Sequence, residues 1–277
     1  MTDERVTAFT AVNLYERGHI AMVELDSTAR RNALGTQIVT GLRQVSAHLH
    51  ARRGTPEAPR CIVLTGAGNT FCSGGDIAAG ADNNAARARG EAVEAGDLSM
   101  DGLHDAFYTL RELDCPLVAA VNGGAIGMGL GVALAGDLII AARSAFFSAL
   151  FIKLGMSVET GVSWRLPRAI GEYRAREMML MGNRIPAETA LSWGLVNRLF
   201  DDEGFRNQAW AFAAEVVQGG PLAIAEVRRM ADSAWGSAYI DHVRAEHVAS
   251  TRLAQSEDAR EAFRAFVEKR PPQFKGR

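Results

Sequence analysis

LVAAVNGGAIGMGLGVALAGD, running from Leu117 to Asp137, sets an apolar strand, a glycine-packed turn and the start of a buried helix in immediate succession. Gly123, Gly124, Gly127, Gly129 and Gly131 let backbone approach backbone closely, in conformations that side chains forbid. The apolar run Leu130–Ala135 reads as a buried helix whose first N–H groups have no partner within the helix. Such a helix start favours negative charge, including charge that exists only in a transition state. A second glycine turn, Phe71-Cys72-Ser73-Gly74-Gly75-Asp76, follows the strand-like run Cys61–Thr65. Donors from both turns, converging on one oxygen, would form an oxyanion hole.

Outward from these turns, strand-like and helix-like segments alternate, which predicts an α/β core. Ile20–Leu25 reads as a strand, Gly35 to Arg52 as a helix, and Leu138–Ala142 as a further strand. A helix is expected over Gly102 to Leu113, ahead of the strand Leu117–Val121. Between Ala78 and Asp97 the chain is rich in Ala, Gly and Asn with weak periodicity, and reads as a mobile segment or a frayed helix that could lie over the site. From Phe205 onward the pattern is almost wholly helical. Pro221 suits a first helical position, and Ser256 followed by Glu257 and Asp258 suits a helix start. The division expected is an α/β core over 1–200 and a helical region over 201–277.

Composition narrows the function classes. The 277 residues carry a formal net charge of −2, which argues against a nucleic-acid or membrane-surface partner. Cys61, Cys72 and Cys115 are odd in number and widely spaced, with neither CxxC nor Cys/His ligand spacing, so no metal site or disulfide framework is expected. The uncharged run from Cys115 to Gly136 is long enough to raise a membrane span, but Pro116, Asn122 and the glycines fit a soluble core better. MTDERVTAF lacks the apolar run of a signal peptide, and the expected location is cytoplasmic. GxGxxG is not met, because Val132 stands at the third glycine position, and no Gly-Lys-Ser/Thr follows to make a phosphate loop. Ser73 lacks a nucleophile-elbow context or a recognisable His partner, so acyl-enzyme chemistry is not expected.

FCSGGDI from Phe71 and AAVNGGAIGMGLGVALAGDLIIAA from Ala119 resemble the two signature segments of the crotonase superfamily of enoyl-CoA hydratases and isomerases. The likeness extends through ARRNAL (Ala29–Leu34) and GNRIPAETALSWGLVNRLF (Gly182–Phe200) to EAFRAFVEKRPPQFKGR at Glu261–Arg277. It implies the crotonase (ClpP-like) spiral fold of repeated ββα units, closed by an all-helical trimerisation region. It also implies an acyl-CoA substrate, no cofactor beyond the CoA carried by that substrate, and a homotrimer or dimer of trimers.

Carried over residue by residue, the family's oxyanion donors fall on the N–H groups of Ser73 and Met128. The two glutamates with which its hydratases hold water fall on Gly131 and Phe151, and neither residue transfers a proton. Glu159, in LGMSVETGVSWRLP, stands where several isomerases of the family carry an acid, and is expected to be the base. Burial beside Phe151, Val158 and Val162 would raise its pKa. The alternative for Glu159 is a solvated loop residue.

For CoA, the resemblance points to Arg30 at the phosphates, to the backbone from Phe71 through Gly75 and Asp76 as the adenine wall, and to Lys269. Alternatives stand beside each: Arg30 as a solvated turn residue, Asp76 as a turn or cap acceptor, and the final helix as an amphipathic element burying Ala262, Phe263, Phe266 and Val267. Glu94, Asp97, Asp101 and His104 lie in or beside the covering segment, and Phe107, Leu150 and Phe151 are expected to shape the acyl pocket. The reading reached is an isomerase acting through a thioenolate. Its rivals are a hydratase with a single acid and a catalytically weak acyl-CoA binder.

Overall fold

Apolar runs with few charges become the parallel centre of a seven-stranded sheet, as expected for strands covered on both faces. The computed structural model describes residues 4–78, 86, 88–90, 102 and 104–277. β1 (Arg5–Phe9), β2 (Val12–Arg17) and β3 (Ile20–Leu25) form an antiparallel meander. β4 (Cys61–Gly66), β5 (Leu117–Val121), β7 (Leu138–Ala142) and β10 (Arg198–Phe200) then add in parallel, in the order β1-β2-β3-β4-β5-β7-β10. A smaller sheet contains β6 (Gly124–Ile126), β8 (Phe146–Ser148) and β9 (Ile185–Pro186).

The repeat expected of the fold is visible in how the two sheets are visited. β5 runs into β6 and then α2 (Met128–Leu134), and β7 runs into β8 and then α3 (Val162–Ile170). Earlier turns are joined by single bridges: Cys72, after β4, pairs with Ala125 of β6, and Leu34, after β3, pairs with Gly75 of the turn that follows Cys72. Each pass leaves the carboxyl end of a parallel strand, where α/β folds place their ligands.

Helix α1 (Thr36–His50) buries Ile38, Val39, Leu42, Val45 and Leu49, one apolar face at helical spacing, against β1 and β2. The helix expected over Gly102–Leu113 takes a different form: a π-helical stretch His104–Tyr108, described at His104 by its backbone alone, runs into one α turn, Thr109–Arg111. Helices α4 (Glu172–Met181) and α5 (Ala187–Ser192) follow α3. After β10 come α6 (Phe205–Val216), α7 (Pro221–Ser233), α8 (Tyr239–Leu253) and α9 (Glu257–Glu268), joined to the sheet mainly through α6 on β3 and β4. The Ser256 hydroxyl caps α9 by accepting the Ala259 N–H at 3.0 Å.

α9 corrects one expectation. Its buried residues are Asp258 and Ala265, whereas Phe263, Phe266 and Val267 are 72%, 83% and 80% exposed. The apolar stripe is real but turns outward, because the inner side is occupied by the tail: Lys275 and Gly276 donate their N–H groups to Asp258, at 2.6 and 2.9 Å. No helix among the described residues is long and apolar enough to cross a membrane.

Candidate active site

The two glycine turns cross at the carboxyl ends of β4 and β5. Asn122 ties these ends, donating to the carbonyls of Gly66 (2.7 Å) and Gly68 (2.9 Å). Alongside, Cys72 N–H donates to Gly124 O and Ile126 N–H to Cys72 O, both at 3.0 Å. Gly74 makes the crossing possible: its φ is +97°, and an added Cβ would lie 2.7 Å from the Ile126 carbonyl and 3.5 Å from the Met128 nitrogen. Met128 opens α2, so its N–H has no intrahelical acceptor.

The partner of Met128 is not Ser73. The Ser73 N–H donates to the Arg31 carbonyl at 3.1 Å, and its hydroxyl lies 3.4 Å from the Arg30 carbonyl, so both groups are spent inside the loop. The N–H left available on this turn is that of Gly75. Its bridge to Leu34 uses the neighbouring peptide groups, its N–H has no acceptor among the described residues, and a Cβ there would lie 3.1 Å from the Met128 sulfur. The N–H groups of Gly75 and Met128 are therefore the two donors from opposing turns.

Next to Met128 the position of Gly131 is closed. A side chain there would collide with Thr160 Oγ1, and its Cβ would lie 2.6 Å from both the Thr160 Cβ and the Thr160 carbonyl oxygen. The loop carrying Glu159 thus packs directly on α2, in the space a side chain at 131 would need. Thr160 is buried and adopts φ +54°, a strained conformation for a β-branched residue. Phe151 is 4% exposed, with its ring 3.9 Å from where a Cβ of Gly127 would stand.

Glu159 is half-buried, and its carboxylate has no hydrogen-bond or ion-pair partner among the described residues. Desolvation by burial raises its pKa above the ordinary carboxylate value. The site therefore combines two backbone donors, an apolar wall and one carboxylate whose proton affinity is raised.

A sequence profile described as Enoyl-CoA hydratase/isomerase matches residues 16–277. The chain belongs to that family. Among similar proteins, a "Probable enoyl-CoA hydratase" of Rhodobacter capsulatus is 35% identical over 258 residues, spanning 93% of this chain and 95% of the relative. A 1,2-epoxyphenylacetyl-CoA isomerase of Escherichia coli K12 is 35% identical over 219 residues, spanning 79% and 82%. The crystal structure of an enoyl-CoA hydratase from Polaromonas sp. JS666 superposes with a TM-score of 0.86 at 30% identity, covering 95% of this chain and 99% of that one. The fold is the crotonase fold.

The remaining expectations for this family member fare unevenly. Arg30 forms an ion pair with Asp76, whose side chain is 8% exposed against 62% for Arg30. Asp76 also packs against Gly35 at the start of α1, so its carboxylate serves the loop, as a turn acceptor would. Phe71 is wholly buried, main chain included, so it offers no exposed surface to a ligand. Lys269 is the exposed, left-handed C-cap of α9, and no hydrogen bond or ion pair among the described residues joins it to the Phe71–Asp76 loop or to Glu159. Glu94, Asp97, Asp101 and most of the segment Ala78–Asp97 lie outside the described residues.

Two positions escaped the sequence reading. Asn32, 0% exposed at φ +54°, staples three loop segments: its Nδ2 donates to Ala67 O (3.0 Å) and Thr70 O (2.7 Å), and its Oδ1 accepts from the Ser27 N–H at 2.9 Å. Asparagine is the usual non-glycine resident of that conformation, which was the available signal within ARRNAL. Thr160 carried no signal, since only its contact with Gly131 gives it meaning.

Proposed function

We propose that this protein is an acyl-CoA thioester isomerase working through a thioenolate. Glu159 removes a proton from the carbon α or γ to the thioester carbonyl. The C–H electron pair moves into the carbonyl, whose oxygen accepts from the Gly75 and Met128 N–H groups as it becomes an oxyanion. Protonated Glu159 then returns the proton to another carbon, leaving a shifted double bond in a linear or ring-derived ester.

The observation carrying this reading is the closure of Gly131 by Thr160, which leaves one carboxylate where hydration would use two. A single group suffices for taking and returning one proton, and the Phe151 wall disfavours an ordered water. The isomerase name of the Escherichia coli relative agrees with it. Hydration by Glu159 acting alone is the second reading, favoured by the hydratase name of the Rhodobacter capsulatus relative. CoA enters as part of the substrate, with Arg30 offered to its phosphates. The outward stripe Phe263, Phe266 and Val267 fits burial in a homotrimer or a dimer of trimers.

Product analysis tests the proposal. With trans-2- and trans-3-hexenoyl-CoA, double-bond isomers are expected and 3-hydroxyhexanoyl-CoA is not. The hydroxy product as the main species would overturn the isomerase in favour of the hydratase.

A further inference from the structure

We propose that Tyr108 is a positioning residue for this site: its hydroxyl fastens the left-handed Thr160–Gly161 turn that aims the Glu159 carboxylate. The inference rests on the reading of Glu159 as the base.

Nothing in the Glu159 side chain itself fixes its direction. The hydrogen bonds recorded at this residue fall on its backbone carbonyl, which accepts from the Val162 N–H at 3.2 Å and from the Thr160 hydroxyl at 2.7 Å. The carboxylate therefore points where the next two residues send it. Those residues are both left-handed, Thr160 at φ +54° and Gly161 at φ +74°. Strain of that kind persists only where surrounding contacts over-determine it.

Two contacts do so. From one side, the missing side chain of Gly131 admits Thr160 against α2. From the other, the Tyr108 hydroxyl donates to the Thr160 carbonyl at 3.2 Å, satisfying an acceptor of a residue only 4% exposed. The same hydroxyl would lie 2.9 Å from a Cβ at Gly161, so it reaches both residues of the turn.

Tyr108 is itself held. It closes the π-helical stretch His104–Tyr108, and the next residue is pinned to α1: the Ser46 hydroxyl donates to Thr109 Oγ1 at 2.7 Å, and His50 Nε2 lies 2.8 Å from the Thr109 carbonyl. Single π turns inside helices recur at functional sites, where the widened turn re-aims a side chain. A continuous run of contacts thus connects α1, Thr109, Tyr108, Thr160 and Glu159.

The test uses phenylacetyl-CoA as a probe, following exchange of its α protons for deuterium in D₂O by NMR, with its dissociation constant measured by calorimetry. Wild type is compared with Tyr108→Phe, Gly161→Ala and Glu159→Gln. The expected result is an exchange rate at saturation lowered about 10- to 100-fold in Tyr108→Phe, as for a misplaced catalytic group. Its dissociation constant stays within twofold, because the two backbone donors are untouched. A merely structural role would move affinity and folded fraction together. Gly161→Ala, which pushes on the hydroxyl from the opposite side, gives the same split and stands in if Tyr108→Phe fails to fold.

Loss of exchange in Glu159→Gln with wild-type exchange in both Tyr108→Phe and Gly161→Ala would overturn the role of Tyr108 alone. Full exchange in Glu159→Gln, or none in wild type, would overturn the reading of the base and the inference with it.

Discussion

Gly131→Ala tests the architecture of the site more sharply than removal of any catalytic group. The added methyl meets Thr160 at Oγ1, and at 2.6 Å from both its Cβ and its carbonyl oxygen, so it cannot be absorbed by rotating one side chain. Restoring an ordinary carbon contact of 3.4 Å requires the turn to retreat by about 0.8 Å. Overpacking of this kind costs about 1–3 kcal/mol, and the better helix propensity of alanine returns ~1 kcal/mol. Net destabilisation is then about 0–2 kcal/mol, a fall of a few degrees in Tm for a chain of this size. A base displaced by about 1 Å loses about 10²-fold in rate, equal to about 2.7 kcal/mol of barrier. Catalysis is therefore expected to suffer more than stability. The assay is α-proton exchange of phenylacetyl-CoA in D₂O alongside thermal melting. Adding Thr160→Gly removes the Oγ1 and Cβ clashes and relaxes the positive φ, so the double variant recovers part of the exchange rate. A Gly131→Ala enzyme with wild-type exchange would refute the reasoning, as would one in which the melting loss is large and exchange is intact.

Further outcomes follow from the same structure. Glu159→Gln is expected to lose about 10²–10⁴-fold in exchange, and wild-type exchange should fall as pH is lowered through the Glu159 pKa, which burial raises above the ordinary carboxylate value. Because that pKa is raised on folding, the ionised carboxylate disfavours the folded state at neutral pH. Glu159→Gln should therefore melt no lower than wild type at pH 7, and any advantage should vanish as the pH drops through the folded pKa toward the unfolded one. Asn32→Ala removes a fully buried side chain and strands two carbonyls and one N–H of half-buried residues, and is expected to cost about 1–3 kcal/mol in chemical denaturation. Arg30→Ala should weaken CoA-thioester affinity by roughly three- to tenfold, the worth of about 1 kcal/mol for an exposed ionic contact, and leave the saturated exchange rate unchanged. Burial pushes the Cys72 and Cys115 thiols up to about 12, so iodoacetamide at pH 8 should label neither until the protein unfolds.

What was legible depended on whether a feature lives in local pattern or in contact. The central strands Ile20–Leu25, Leu117–Val121 and Leu138–Ala142 announced themselves as apolar runs and appear with those bounds. β1 and β2 carry no apolar run long enough to stand out: RVTAF at the sheet edge and VNLYER beside it both mix polar and apolar residues. β6 was read as part of a glycine turn; three residues become a strand only when β8 and Cys72 supply partners. The stripe Phe263, Phe266 and Val267 showed that α9 has an apolar face, but helical periodicity cannot say whether that face meets the chain's own core or the outside.

The site divided along the same line. Met128 and Glu159 are proposed from their places in the segments that resemble the family's. The choice between Ser73 and Gly75 turned on one hydrogen bond to Arg31, a residue 42 positions earlier than Ser73, which no local pattern encodes. That Gly131 lacks a carboxylate was readable. That Thr160 fills its space, fastened by Tyr108, belongs to tertiary contact alone.

The chemistry proposed at Glu159 uses a single carboxylate and a thioenolate. Its most direct test follows trans-3-hexenoyl-CoA in D₂O by NMR, with wild type and Glu159→Gln side by side. The expected result is double-bond migration with deuterium entering at C2 or C4, and loss of both in the variant. Formation of 3-hydroxyhexanoyl-CoA that survives Glu159→Gln would contradict it and place the base elsewhere.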